Sequence, residues 1–314
     1  MAGVITDHYI QQFGLHLSAC GLWMGGVFVT VFFALSAYLF GEKWRNQDHK
    51  KFEVIPFLRK RVLRIYIPLW ISLILVIAIE YFVMHQFDLE TILFNFIGAG
   101  WAKPFGVGGH LWYITMMMLL YVAFILFSYF RIDKLPLWVW CLALGLITLL
   151  YVLFPPSFST FSKAGPPVIL WFASLLFYKV RKAITIVVKY KIISIVISLV
   201  VILTSLLLYV FVPDWHFAYK EWATLTTTLA GLLLFLVLLS LLDIKKEPDI
   251  IKNLSKISYE VYLMHLPLLP LVGSFVVNEL LFLPLWLILI FAGAYCLNKM
   301  SEPLIKMFNN NGKS

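Results

Sequence analysis

Three clusters and two separate histidines in this 314-residue sequence carry side chains able to do chemistry. In Phe57-Leu58-Arg59-Lys60-Arg61-Val62-Leu63-Arg64, the i, i+3 spacing puts Arg61 and Arg64 on one helical face. Two planar guanidinium forks so placed suit phosphate oxygens. The plainer alternative is a basic flank that fixes the register of the adjoining membrane helix. In Ser258-Tyr259-Glu260-Val261-Tyr262-Leu263-Met264-His265, the residues Ser258, Tyr262 and His265 follow i, i+4, i+7 and share one stripe. Polar groups at membrane depth either serve function or hydrogen-bond between helices, and both readings stand for His265. In Gly106-Val107-Gly108-Gly109-His110-Leu111-Trp112-Tyr113, His110 either faces an external pocket or is solvated beside aromatic anchors, Trp112 and Tyr113. His8 and His16 stand near the start. A neutral imidazole can act as general base toward a hydroxyl near pH 7, although alone each reads first as a tail histidine.

The elements that must position these groups are set by composition. Charged residues are 13% of the chain, against about 25% in soluble proteins. Hydrophobic residues are 62%, aromatics 17%, and the mean hydropathy is +0.91. No soluble protein of this length covers so much apolar surface with so few charges. The sequence reads as an all-α, polytopic membrane helix bundle, which excludes a nucleic-acid module, a secreted disulfide scaffold and a disordered chain. Cys20, Cys141 and Cys296 lie in apolar stretches at unrelated spacings and imply neither a disulfide framework nor a metal site.

About nine apolar stretches approach the ~20 residues needed to cross a bilayer. They lie near 17–40, 65–86, 110–130, 136–154, 166–180, 192–212, 222–242, 257–277 and 281–298. Residues 88–101 are too short to cross and read as a re-entrant or interfacial helix. Under this count, 22 of the 25 lysines and arginines fall on one side, leaving Lys103, Lys163 and Lys220 opposite. The positive-inside rule makes the crowded side cytoplasmic. One integral domain, 17–298, then lies between an extracytoplasmic segment, 1–16, and a cytoplasmic tail, 299–314. An outside N-terminus without a signal peptide is unusual and leads to the expectation that a helix normally preceding residue 1 is missing.

Five segments together resemble the acyltransferase 3 family of integral membrane acyltransferases. In family order they are Val31-Phe32-Phe33-Ala34-Leu35-Ser36-Ala37-Tyr38-Leu39, Phe57 to Tyr66, His110-Leu111-Trp112-Tyr113, Ser258 to His265, and Ser301-Glu302-Pro303-Leu304. The resemblance implies a bundle of typically ten spans in the cell membrane. It implies transfer of an acyl group, often acetyl, from cytosolic acyl-CoA to a hydroxyl of an extracytoplasmic glycan. No permanently bound cofactor is implied, and acyl-CoA is a cosubstrate. Arg61 and Arg64 match the family's donor-associated arginines. The family's first span carries an arginine followed by the catalytic histidine, but no arginine precedes Arg45 here. His8 and His16 both stand at a suitable distance ahead of Phe32-Phe33, and His8 fits the pattern slightly better. Ala37 replaces a usual glycine.

The expected reaction is direct transfer. A histidine, His8, His16 or His265, takes the acceptor proton as the hydroxyl attacks the thioester, while Tyr262 stabilises the oxyanion and His110 and Trp112 face the acceptor. Two other readings stay open: a transporter or flippase for a lipid-linked glycan, and a truncated, inactive family member. Ion-coupled transport would favour acidic residues within spans, where only Glu80 and Glu260 fall, both near a span end.

Overall fold

The structure is a computed structural model and describes residues 2–13, 18–46, 53–100, 102–103, 106, 109–130, 134–153, 191–212, 220–241, 255–276 and 278–310. Among them there is no strand. The helices are α1 (Ala2–Gln12), α2 (Ser18–Asn46), α3 (Val54–Phe82), α4 (Leu89–Phe96), α5 (Trp112–Tyr129), α6 (Leu137–Leu153), α7 (Lys191–Phe211), α8 (Lys220–Leu241), α9 (Ser258–His265), α10 (Leu268–Gly273) and α11 (Glu279–Asn310). Five described helical stretches are long and apolar enough to cross a membrane: Ala19–Phe40, Val54–Phe82, Gly109–Tyr129, Ile192–Phe211 and Leu280–Asn309. Two shorter apolar stretches, Leu137–Leu149 and Trp222–Leu238, coincide with further expected spans. The protein is a polytopic helical membrane protein. The expected fifth span, 166–180, and His16 lie outside the described residues.

The structure differs from the sequence reading in three places. The eighth span, expected unbroken over 257–277, divides into α9 and α10. Pro267 lacks the N–H that would continue the helical ladder, so the run breaks there. Residues read as a polar N-terminal segment, with no helix assigned to them, form α1, which packs on α2. The last helix does not stop at 298 but runs to Asn310.

The chain forms two compact units. The first joins Glu53–Val122 with Lys246–Ser314. Its core rests on a stripe of α11, where Phe282, Trp286, Ile290, Ala294, Leu297 and Ser301 are all buried at helical spacing. Leu69, Leu73 and Val76 give α3 the same periodicity. The opposite face of α3 exposes Ile74 and Phe82, as a lipid-facing surface does. The short helix α4 is inverted relative to a soluble helix. Thr91 and Asn95 are buried, whereas Leu89, Leu93 and Phe96 are exposed. That pattern belongs at a membrane interface. Asp88 caps α4 through the Glu90 N–H at 3.0 Å and accepts from Thr91 Oγ1 at 2.7 Å and Lys103 Nζ at 3.0 Å. These contacts, led by Thr91, lower its carboxyl to about 2. From α3, Tyr66 and Trp70 donate to the Ile97 and Phe96 carbonyls at 2.8 and 2.9 Å.

The second unit comprises Ala2–Phe52 and Ala123–Lys245. Its core gathers Trp23, Val27, Tyr209, Ala223 and Ala230. Trp23 Nε1 donates to Ser205 Oγ at 3.0 Å, joining α2 to α7. Gly231 permits α8 to approach α2. A Cβ there would lie 2.4 Å from Thr30 Cγ2 and 2.7 Å from the Val27 carbonyl oxygen. Small residues are what allow membrane helices to close to this distance.

Candidate active site

In the first unit, polar residues gather at two levels of α9. At its N-terminal end, Glu260 is fully buried. Glu260 Oε1 accepts from Asn298 Nδ2 at 3.0 Å and lies 3.5 Å from Arg64 Nη1. Arg64 Nη2 also donates to the Lys256 carbonyl at 2.9 Å. Tyr259 Oη donates to the Ile65 carbonyl at 2.9 Å, and Arg59 donates to the Phe308 carbonyl. Helices α3, α9 and α11 are therefore clasped together around Arg64 and Glu260. Arg61 points elsewhere. Its guanidinium carbon lies 5.8 Å from the ring centre of Phe57 and 5.6 Å from that of Tyr121.

At the other end of α9, the structure brings His110, Tyr262 and His265 together. The His110 ring centre is 4.9 Å from that of Tyr262 and 4.8 Å from that of His265. Tyr262 Oη donates to the His110 carbonyl, and Tyr113 packs on Tyr262 with ring centres 5.3 Å apart. His265 Nδ1 is 2.6 Å from the Tyr262 carbonyl. A carbonyl only accepts, so Nδ1 carries the proton and Nε2 is the basic nitrogen of the neutral ring. The break at Pro267 turns the Leu269 N–H to the Leu266 carbonyl, and Trp286 Nε1 takes up the His265 carbonyl at 2.9 Å.

Ser258 does not join this group. It is exposed and donates to the Ser255 carbonyl at 2.9 Å. Trp112 packs on Tyr113, with ring centres 6.3 Å apart. Toward the C-terminal end of α3, a cleft of about 150 Å³ is lined by Glu80, Gln86, Asp88, Thr91 and Gly106.

His8 stands on α1 in the second unit. Burial pushes its imidazole down to about 4, so it is neutral at pH 7. Its neighbour Asp7, absent from the sequence-derived candidates, is buried beside Gly25 and Gly21 of α2. A Cβ at Gly25 would lie 2.2 Å from Asp7 Oδ2. The one signal available in the sequence was an acid next to a histidine, followed by glycines at i, i+4 spacing.

The family model for the acyltransferase domain (acyltransferase 3) matches residues 2–298. The chain belongs to the acyltransferase 3 family. No curated protein and no solved structure matches it. Membership identifies a membrane acyltransferase in general terms, and the match includes both levels of α9 and His8. Trp286, which holds the His265 carbonyl, was not visible as a site residue. Tryptophan in an apolar helix reads as core, and only the fold brings it to the break after α9.

Proposed function

We propose that this acyltransferase 3 protein moves an acyl group, acetyl by family resemblance, from cytosolic acyl-CoA to a hydroxyl of an extracytoplasmic glycan. The observation that carries the reading is the course of α9. One short helix meets Arg64 at one end and His110 with His265 at the other. Under the charge bias, the arginine end faces the cytoplasm, where Arg64, joined by Arg61 once it swings off the Phe57 and Tyr121 rings, receives the donor phosphates and the acyl-bearing arm extends inward along α9.

The cleft at Glu80, Gln86 and Thr91 lies toward the opposite end of α3 from Arg64. Its carboxylate, amide and hydroxyl groups suit the hydroxyls of a sugar acceptor. His8 takes the proton of the attacking hydroxyl. It matches the family pattern, and its neutral state leaves a nitrogen free of a proton. His265 is the rival base, because its Nε2 is the basic nitrogen of a ring held by the Tyr262 carbonyl. Tyr262 stabilises the oxyanion once its hydroxyl leaves the His110 carbonyl. The reaction takes place in the cell membrane and needs no bound cofactor beyond acyl-CoA itself.

The test is release of coenzyme A thiol from acetyl-CoA by the purified chain in lipid nanodiscs, with a cell-surface polysaccharide as acceptor. Acceptor-dependent release that falls about 10²–10⁴-fold in His8→Ala supports the reading. Loss in His265→Ala with His8→Ala active would transfer the base role to His265. Absence of both donor binding and thiol release in the wild-type chain would overturn the proposal.

A further inference from the structure

The carboxylate of Glu260 is only half used. Its side chain has no solvent exposure, and Oε1 is the oxygen engaged by Asn298 and Arg64. Oε2 is buried with no hydrogen-bond partner among the described residues. A buried carboxylate oxygen without a donor costs free energy unless something supplies an N–H or O–H. Beside it, the Arg64 side chain is 40% exposed, so a cation reachable from outside adjoins a buried acceptor.

We propose that Glu260 Oε2 and Arg64 form a two-part subsite for a ligand carrying a phosphate and, further along, a secondary amide N–H. This rests on the donor reading above, since the phosphopantetheine arm of acyl-CoA has that chemistry. Arg64 turns its exposed face to a phosphate and uncovers Oε2. The arm's amide N–H then donates to Oε2, and no covalent bond changes. Glu260 lies five residues before His265, about 7.5 Å along the helix axis. Along the axis, an arm entering at the N-terminal end of α9 meets the level of Glu260 before those of Tyr262 and His265, and it must cross from one side of the helix to the other between them. Glu260 is on this reading a positioning residue that sets the depth of the thioester.

Glu260→Gln provides the test. The Gln carbonyl oxygen stays with Arg64 and Asn298, which leaves the amide nitrogen, unable to accept, where Oε2 was. Binding to the full chain in nanodiscs would be measured for coenzyme A and for adenosine 3′,5′-bisphosphate, which has no pantetheine arm. We expect coenzyme A to bind about ten- to a hundredfold more weakly to Glu260→Gln, the range for a hydrogen bond to a charged group. Bisphosphate binding should be unchanged, which also shows that the variant is folded. A second measurement needs no mutation: coenzyme A analogues with each arm amide replaced in turn by an ester. One of them should lose affinity for the wild-type chain and not for Glu260→Gln. Equal weakening of coenzyme A and bisphosphate, or no weakening of either, would overturn the subsite while leaving the donor reading intact. A wild-type chain that binds neither ligand would overturn both.

Discussion

At the scale of single residues, the structure separates two arginines that the sequence pairs. Arg64 neutralises a buried carboxylate, whereas Arg61 leans on two aromatic rings. Arg64→Ala would leave Glu260 buried without its counter-ion and lower stability as well as donor affinity. Arg61→Ala tests the proposed donor contact while sparing the Glu260 ion pair. It should weaken acyl-CoA binding by roughly 1.5–3 kcal/mol, with partial recovery in Arg61→Lys, measured by equilibrium dialysis beside an unchanged melting temperature. Unchanged affinity would return Arg61 to the role of a topology anchor. His8 carries a pH signature. Its folded pKa, about 4, lies below the ordinary 6.5, so the neutral imidazole that the proposed mechanism uses as base is present down to about pH 4 and is lost below it. The acid limb of kcat/KM should therefore fall near pH 4. An acid limb that disappears in His265→Ala and persists in His8→Ala would identify the other histidine.

At the scale of elements, glycine contacts set how closely helices pack. Gly231→Ala forces a methyl into Thr30 and the Val27 backbone, and overpacking of this kind costs about 1–3 kcal/mol. Its melting temperature in detergent should fall, while Gly145→Ala, with nothing within 4 Å of the added Cβ, should not. Equal melting temperatures would mean that α2 and α8 part without cost. The elements also show what the sequence made legible. The i, i+3 arginines were readable because α3 begins at Val54 and carries the basic segment as helix. The i, i+7 pairing of Ser258 with His265 was not a site, because Ser258 falls at the exposed start of α9 and turns to Ser255. The break at Pro267 was present in the sequence but hidden by the hydropathy of 257–277, which stays high across a missing N–H. Helix α1 escaped notice because Asp7, His8, Gln11 and Gln12 read as a polar tail. The burial of Asp7 depends on a glycine face on α2 that composition alone does not reveal.

For the whole molecule, the first test is orientation. A thiol placed at Phe87, in the segment before α4, should react in intact cells with an impermeant reagent. One at Lys306, near the end of α11, should react only after permeabilisation, and the reverse pattern would invert the topology read from charge. The order of synthesis has its own consequence. The first unit is built from two stretches of chain separated by the greater part of the second. Arg64 leaves the ribosome 192 residues before Lys256, its backbone partner, and Glu260 and Asn298 follow later still. At roughly 5–20 residues per second, that interval is on the order of 10–40 s. Throughout it, the Arg64 guanidinium near the N-terminal end of α3 is without the carboxylate it later meets. A guanidinium waiting for its carboxylate is a natural partner for lipid phosphate oxygens, so depleting anionic lipid should slow maturation before it affects the finished protein.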